Sequence, residues 1–454
     1  MRVHFIAIGG SAMHNLALAL WGRGDEITGS DDEIFEPSKS RLAAAGILPA
    51  TEGWDATRIT ADLDAVVLGM HARSDNPEML AAQALGLPIY SYPAFLFLAG
   101  ADKTRVVIAG SHGKTTVTGM LLHVLKWCGR TEDFMVGAQL EGYHTMVRLS
   151  KEAEFMLLEG DEYLSSALEP IPKFHLYKAN IALITGIAWD HINVFPTFES
   201  YVEQFRLFLK TMEPGGVVVY NTDDPVVKEV VETDLSPLRK IGYSTPSFRV
   251  ENERMILESP LGAVPLSIFG SHNASNIEGA RWIAQEMGIQ EEEFYEAITS
   301  FKGAAKRLEL LRNDAQCTVY KDFAHAPSKV KATVTALAEQ FPLRRKIACL
   351  ELHTFSSLNP AFLPLYKDAL AGADVPIVYF NPKAVAHKKL PNLSADTVAE
   401  AFGEPKPFVY TSANEVLEAL KKHTRGPSSA TLLMSSGNFD GQDLLVWASK
   451  LGNP

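Results

Sequence analysis

Two glycines bracket a serine and a histidine ahead of a lysine and two threonines in Gly110-Ser111-His112-Gly113-Lys114-Thr115-Thr116. The run begins where the apolar stretch Val106-Val107-Ile108-Ala109 ends, and helix-forming residues follow from Val117 to Leu122. Gly110 and Gly113 allow a turn tight enough to aim several backbone N–H groups at one anion. The helix adds its positive N-terminal end, Lys114 a mobile charge, and Thr115 a hydroxyl suited to Mg²⁺. This is chemistry for gripping a phosphate. The alternative, a plain strand–helix turn with a solvated lysine, fits poorly with a position directly after a buried strand. The Gly-x-x-Gly-Lys spacing is tighter than the usual Walker loop.

Acids and an imidazole stand at two further strand ends. Phe155-Met156-Leu157-Leu158 runs into Glu159-Gly160-Asp161-Glu162-Tyr163, and Ile181 to Ile187 runs into Ala188-Trp189-Asp190-His191. Glu159 alone reads as a solvated strand-end acid, and His191 alone as a core or loop histidine. Beside a phosphate loop they can complete an Mg²⁺ site, although a hard cation prefers oxygen and a histidine ligand is unusual. Asn273 and Asn276 lie three apart before an amphipathic helix expected over Ile277 to Met287, so on a helix they share one face. Their amides can meet a purine edge; helix capping by Ser271 or Asn273 is the equally weighted alternative.

These groups need parallel strands to carry them. Val3 to Ile8 reads as a strand, Gly9-Gly10-Ser11 as a turn, Ala12 to Leu20 as a helix and Glu26 to Ser30 as a second strand ending in Asp31-Asp32-Glu33. That order suits a Rossmann-like nucleotide site, but Ala7 stands where a first glycine is expected. Ala65 to Met70 ends at His71-Ala72-Arg73, which are either diphosphate or sugar contacts or two solvated loop residues. After Phe301 to Leu310, an expected connection, a third α/β region opens with Thr318 to Pro327 and a helix from Ser328 to Leu337. Strands are expected over Lys346–Leu352, Pro376–Phe380 and Ala430–Met434.

The chain has 454 residues, more than one core usually holds, and its 46% apolar and 21% charged composition is that of a globular enzyme. A net charge of −12 argues against general nucleic-acid or anionic-membrane binding. Cys128, Cys317 and Cys349 have neither metal spacing nor a disulfide framework, which suits a reducing compartment. The first residues lack a signal-peptide pattern, and a cytoplasmic location is expected.

Taken together, Gly-Ser-His-Gly-Lys-Thr-Thr, Glu159-Gly-Asp-Glu, Asp190-His191, His272-Asn273-x-x-Asn276, Arg307 and Asp322-Phe-Ala-His325-x-Pro327 resemble the Mur ligases over essentially the whole chain. The resemblance implies an α/β fold of three domains: a Rossmann-like UDP-sugar domain over 1–102, a P-loop ATPase-like domain over 103–308 and a Rossmann-like amine or peptide domain over 309–454. It implies ATP and Mg²⁺. ATP contacts would come from Gly110, Ser111, His112, Gly113, Lys114, Thr115 and Thr116, from His272, Asn273 and Asn276, and from Arg307 and Asp322. Thr115, Glu159 and His191 would serve the metal, and Lys114, Glu159, His191 and Arg307 the catalysis. Gly9, Gly10, Ser11, Ser30, Asp31, His71 and Arg73 would hold the UDP-sugar. The reaction implied activates a carboxylate as an acyl phosphate, which an amine then attacks.

Other branches of the family place a lysine fourteen residues beyond the metal-site histidine; Phe205 stands there, counted from His191. With Gly9-Gly10-Ser11-x-Met13 and Gly29-Ser30-Asp31, this points to branches acting on UDP-N-acetylmuramate. Of these, Asp161-Glu162-Tyr163, Asp322-Phe323-Ala324-His325 and Met434-Ser435-Ser436-Gly437-Asn438-Phe439-Asp440-Gly441 resemble the branch adding a tripeptide rather than L-alanine. Glu351-Leu352-His353 replaces an expected proline–arginine pair, and Ala326 a second histidine, so the amine is the open point. The implied partners are UDP-N-acetylmuramate and an amino-acid or peptide amine, with no nucleic acid or membrane, in a monomer or weak homodimer. A nicotinamide oxidoreductase, opposed by Ala7 and the second nucleotide loop, and a non-catalytic binding protein, opposed by intact Lys114, Thr115, Glu159 and His191, are the rival classes.

Overall fold

The computed structural model describes residues 1–70, 72–140, 142–166, 169–189, 194–304 and 307–451. They divide into two compact units, the first holding residues 1–189, 194–243 and 279–293, the second 244–278 and 294–451. The α/β reading of the sequence holds in both.

The first unit contains two sheets. Strands β1 (Arg2–Ile6), β2 (Glu26–Ser30), β3 (Ala65–Leu68) and β4 (Ile89–Ser91) form a parallel sheet in the order β2-β1-β3-β4. Strand β1 stops earlier than its apolar run because Ala7 turns to a left-handed φ of 70°. Gly69 makes room for this, since a Cβ there would lie 2.7 Å from the Ala7 methyl. The larger sheet comprises β5 (Thr104–Ala109), β6 (Asp133–Met135), β7 (Val147–Arg148), β8 (Phe155–Gly160), β9 (Ile181–Ile184), β10 (Val217–Asn221) and β11 (Arg239–Tyr243), ordered β11-β10-β9-β5-β8-β6-β7. Only the β6–β7 pairing is antiparallel. Strands β5, β8 and β9 sit at its centre, and their near-continuous β-branched and leucine runs reflect burial on both faces.

Helices α1 (Ser11–Arg23) and α2 (Lys114–Trp127) follow β1 and β5. Both start after a glycine, Gly10 and Gly113, and neither has a side-chain cap. The helices α3 (Phe198–Thr211) and α4 (Pro225–Thr233), by contrast, are capped by Thr197 in a capping box and by Asp224. The first two therefore leave their N-terminal N–H groups to something other than their own side chains.

The second unit has a six-stranded sheet of β15 (Glu309–Asn313), β16 (Cys317–Asp322), β17 (Arg345–Leu352), β18 (Val375–Phe380), β19 (Phe408–Tyr410) and β20 (Ser429–Met434), ordered β15-β16-β20-β17-β18-β19. All pairs but β15–β16 are parallel. The helix Pro327–Gln340 begins one residue before the sequence expectation and runs three further. An antiparallel sheet of β12 (Phe248–Glu251), β13 (Arg254–Ser259) and β14 (Gly262–Pro265) is not anticipated by the sequence reading. Its first hairpin turns through Asn252 and Glu253, both at positive φ, as a two-residue hairpin demands. The helix beginning at Ser271 starts earlier than expected, so Asn273 and Asn276 lie within its first turns.

Candidate active site

The phosphate loop is shaped by close approach. Gly110 has a φ of 128°, and a Cβ there would lie 2.1 Å from Thr185 Oγ1; Gly113 has a φ of 83°. Thr185, at the end of β9, donates its hydroxyl to the carbonyls of Ala109 and His112, pinning the loop on both sides. Gly186 is closed in by the His112 ring, 2.4 Å from where its Cβ would stand. The loop backbone thus has little freedom before any ligand arrives.

Lys114 turns back over this loop. Its Nζ donates to the Gly110 carbonyl at 2.7 Å and to Glu162 Oε2 at 2.6 Å. Burial works against the ammonium, yet the carboxylates of Glu162, Asp161 and Glu159 outweigh it and hold the pKa above the usual lysine value. Glu162 Oε1 accepts from the Tyr201 hydroxyl at 3.0 Å, and Tyr201 lies 2.8 Å from Ser111 Oγ. Ser111 in turn accepts from the Ala188 N–H at 2.8 Å. The lysine is therefore one end of a buried relay through Glu162, Tyr201 and Ser111. Glu162 and Tyr201 are absent from the sequence candidates. Only the acid run at 159–162 hinted at the first, and nothing local points to the second.

Glu159 is 2% exposed, and one oxygen, Oε2, accepts from Thr115 Oγ1 at 3.2 Å. The other, Oε1, has no hydrogen-bond partner among the described residues. Burial first, and then the Asp161 charge, push its pKa up to about 7. Asp161 itself, despite burial, is held below the usual carboxylate range by Lys173 and Lys114. An orphaned buried carboxylate oxygen costs free energy unless a cation or donor meets it. With the Thr115 hydroxyl it offers the hard oxygen donors that Mg²⁺ takes. Among the described residues no cluster of three or more His, Cys, Asp and Glu side chains forms a metal site. Asp190 and His191 lie outside the described residues, as does His71.

The first-domain turn has a different chemistry. The Gly9 N–H donates to Asp31 Oδ2 at 2.7 Å, and a Cβ on Gly9 would sit 2.9 Å from that oxygen. Burial and the neighbouring Asp32 raise the Asp31 pKa to about 6. Ser30 is fully buried and gives its hydroxyl to Glu78, which also meets His4 at 3.2 Å and the Asp55 N–H at 2.9 Å. Gly10 and Ser11 are exposed, and Arg73 is an exposed residue paired with Asp75 at 3.1 Å. His14, one turn into α1, hydrogen-bonds the Gly10 carbonyl at 2.9 Å and the Arg41 guanidinium at 3.0 Å. Burial and then Arg41 keep it below the usual histidine pKa, even though the Gly10 contact opposes them.

In the second unit, Asp322 ends β16 and accepts from the N–H groups of Leu308 and Ala324, both at 2.7 Å. Burial raises its pKa, opposed by Arg307, whose guanidinium lies 5.0 Å over the Phe323 ring. Asp322 thus anchors the connection that presents Arg307. Asn273 and Asn276 are buried; Asn273 Nδ2 donates to the Phe269 carbonyl at 2.8 Å, and Asn276 lies 3.5 Å from Asn273. His272 shares this first turn. Glu351, the departure from the resembled pattern, is 2% exposed and accepts from Ser435 and from the Phe439 N–H at 2.9 Å. It anchors the loop after β20, where Phe439 and Asp440 both take positive φ.

A rigid glycine loop at an uncapped helix, a lysine over it and a buried acid beside its threonine define a nucleoside-triphosphate enzyme working by phosphoryl transfer. Profiles for the Mur ligase family, catalytic domain, for the Mur ligase middle domain and for the Mur ligase, glutamate ligase domain match residues 2–103, 108–284 and 306–437. The UDP-N-acetylmuramate–L-alanine ligase of Sulfurihydrogenibium sp. (strain YO3AOP1) is 30% identical over 448 residues, 96% of this chain and 95% of that protein. The murein peptide ligase of Psychrobacter arcticus 273-4 superposes with a TM-score of 0.66 at 21% identity, covering 100% of both chains. The UDP-N-acetylmuramate:L-alanyl-γ-D-glutamyl-meso-diaminopimelate ligase of Neisseria meningitides does so with a TM-score of 0.58 at 25% identity, covering 66% of this chain and 98% of its own. The chain belongs to the Mur ligase family, whose members are ATP-dependent amide-bond ligases. No helix among the described residues is long and apolar enough to cross a membrane.

Proposed function

We propose that this ligase joins the carboxylate of UDP-N-acetylmuramate to the amine of L-alanyl-γ-D-glutamyl-meso-diaminopimelate, cleaving ATP to ADP and phosphate, as a cytoplasmic monomer or weak homodimer. The observation that carries the chemistry is Lys114 held between its own loop and Glu162, beside a Glu159 oxygen without a partner among the described residues. Both groups are preorganised for a charged ligand.

On this reading the loop N–H groups from Gly110 to Thr116 hold the phosphates, and Lys114 exchanges Glu162 for them. Thr115 and Glu159, with His191, would hold Mg²⁺, which neutralises charge on the transferring phosphoryl group when bound. Arg307 meets the γ-phosphate, His272, Asn273 and Asn276 the adenine end, and Asp322 the ribose. Gly9, Gly10, Ser11, Ser30, Asp31, His71 and Arg73 serve the UDP-sugar in a domain of residues 1–102. Residues 103–308 and 309–454 form the ATP and amine domains. The muramate carboxylate attacks the γ-phosphorus, ADP leaves, and the amine displaces phosphate from the acyl phosphate. No nucleophilic side chain is required.

The tripeptide is favoured over L-alanine by Asp161-Glu162-Tyr163 and Asp322-Phe323-Ala324-His325. The second reading, L-alanine, draws on the names of relatives 29–30% identical over nearly the whole chain. Phosphate release from ATP with UDP-N-acetylmuramate plus either amine separates the two: turnover is expected with the tripeptide, and turnover with L-alanine alone overturns the proposal.

A further inference from the structure

A cavity of about 820 Å³ opens in the first unit at the far ends of α1 and α2. Its walls include Leu18 and Arg23 of α1, Leu122 and Lys126 of α2, and the segment from Gly142 to Glu152. Lys126 is twelve residues along α2 from Lys114, about 18 Å at the helical rise. The cavity is therefore separate from the phosphate loop, and it also lies at the end of α1 opposite the Gly9-Gly10 turn.

Its charge runs against that of the chain. Lining it are five cationic side chains, Arg23, Lys126, Arg130, Arg148 and Lys151, against two acids, Glu132 and Glu152, in a protein of net charge −12. Glu132 is spent on Arg130, at 2.7 Å, and Arg23 on Asp25, also at 2.7 Å. Arg148 donates to a backbone carbonyl, that of Glu132, at 3.3 Å, and Lys126 stands 5.9 Å over the Tyr143 ring. Tyr143 packs edge-on against Phe134, with centroids 5.1 Å apart, and its hydroxyl is tied to the Leu122 carbonyl at 3.2 Å. Thus a fixed aromatic face lies beside two cations, Lys126 and Arg148, that have no carboxylate partner among the described residues. The volume falls in the range of small-molecule pockets, and the combination of an apolar floor with a few convergent charges is what such sites use.

We propose that this cavity binds a small organic anion carrying one flat apolar group, the ring lying on Tyr143 and the anion between Lys126 and Arg148. The wall is tied to α1 through Asn15, which accepts from the Met146 N–H at 2.9 Å, and to the helix Ser38–Ala44 through Arg41, which donates to the His144 carbonyl. An occupant would therefore rest on both helices whose opposite ends form the two candidate substrate sites.

The test is calorimetric titration of the full chain with 1-naphthyl phosphate and, separately, 1-naphthoate. At least one should bind at one site per chain, unchanged by saturating ATP or UDP-N-acetylmuramate. Preference for the phosphate identifies a phosphomonoester as the ligand class, and preference for the naphthoate a carboxylate. Lys126→Glu/Arg148→Glu should weaken binding tenfold or more, about 1.4 kcal/mol, with denaturation and ligase turnover unchanged; Lys126→Gln/Arg148→Gln repeats the loss should the reversed charges disturb folding. Neither probe binding below about 10 mM, displacement by ATP or the UDP-sugar, or unaltered binding in the folded variants overturns the proposal.

Discussion

The first unit builds the same strand–glycine turn–helix twice and equips the two copies in opposite ways. At β5–α2 the turn is followed by a lysine and faces a buried glutamate with one oxygen unpartnered among the described residues. At β1–α1 no lysine follows, and the turn's N–H is already taken by Asp31. Both helices begin uncapped after glycine, so the backbone offers each the same anion-facing terminus. The side chains decide what it receives. A site ringed by Lys114, Thr115 and Glu159 is made for a polyphosphate and its cation, whereas one closed by a carboxylate favours neutral hydroxyl or ribose donors.

The contrast breaks most sharply at Lys114. Lys114→Ala should lower ATP turnover by about three orders of magnitude, the upper range for losing one preorganised charge contact, while UDP-N-acetylmuramate binding by calorimetry stays as in the parent. Loss of both together would mean that the two turns are not independent sites. Glu162→Ala comes next. It strands the Lys114 ammonium in a buried setting, which costs about 3 kcal/mol of stability in the ligand-free protein. Saturating ATP should shrink that loss, because the phosphates take over the lysine. Chemical denaturation with and without ATP measures the difference, and equal losses in the two conditions would refute the exchange of partners.

Much of this contrast is legible in the sequence, because it rests on local signals. Glycines after apolar runs mark both turns, and the acid run from Glu159 to Glu162 marks a strand end. What is not legible is set by tertiary packing. The Tyr201 link to Glu162 joins residues 39 apart through a side chain on a helix face that reads as core. Ser30 ends β2 like any polar strand-end residue, and only the buried Glu78 shows that its hydroxyl is already engaged. The hairpin at Asn252-Glu253 does alternate, with Phe248, Val250, Met255 and Leu257 on one face and Arg249, Glu251, Arg254 and Glu258 on the other, but its strands are short and its turn lacks the glycine that usually marks such a hairpin.

Ala7 sharpens the comparison from the other side, since it performs in left-handed backbone what glycine does at Gly110. Its methyl is tolerated because Gly69 has none. Gly69→Ala should therefore cost about 2 kcal/mol, the usual penalty of overpacking. Ala7→Gly should be nearly neutral, relief of the left-handed strain being offset by a more flexible unfolded chain. The double variant should recover about 1 kcal/mol relative to the sum of the two. Strict additivity in denaturant unfolding would show that the two residues do not compete for the same space.

The smallest effect concerns Asp31, whose carboxyl closes the first-domain turn with a pKa of about 6. The folded protein holds this proton more tightly than the unfolded chain, whose aspartate titrates near 3.9. Between these values the native state binds more protons, so stability falls as pH rises from about 4 to 6 and is flat above. From pH 5 to pH 7 the loss should be about 1 kcal/mol. Asp31→Asn keeps an oxygen for the Gly9 N–H but has no proton to lose. The difference between the two proteins' unfolding free energies should therefore slope with pH below about 6 and level off above it. No comparable slope is expected from the phosphate-loop lysine, whose pKa is raised away from this range. If the difference is level across the whole span, Asp31 is ionised throughout, and the first-domain turn is closed by a charge rather than by a protonated acid. In that case the two turns would differ in the sign of a fixed charge, and pH would not distinguish them.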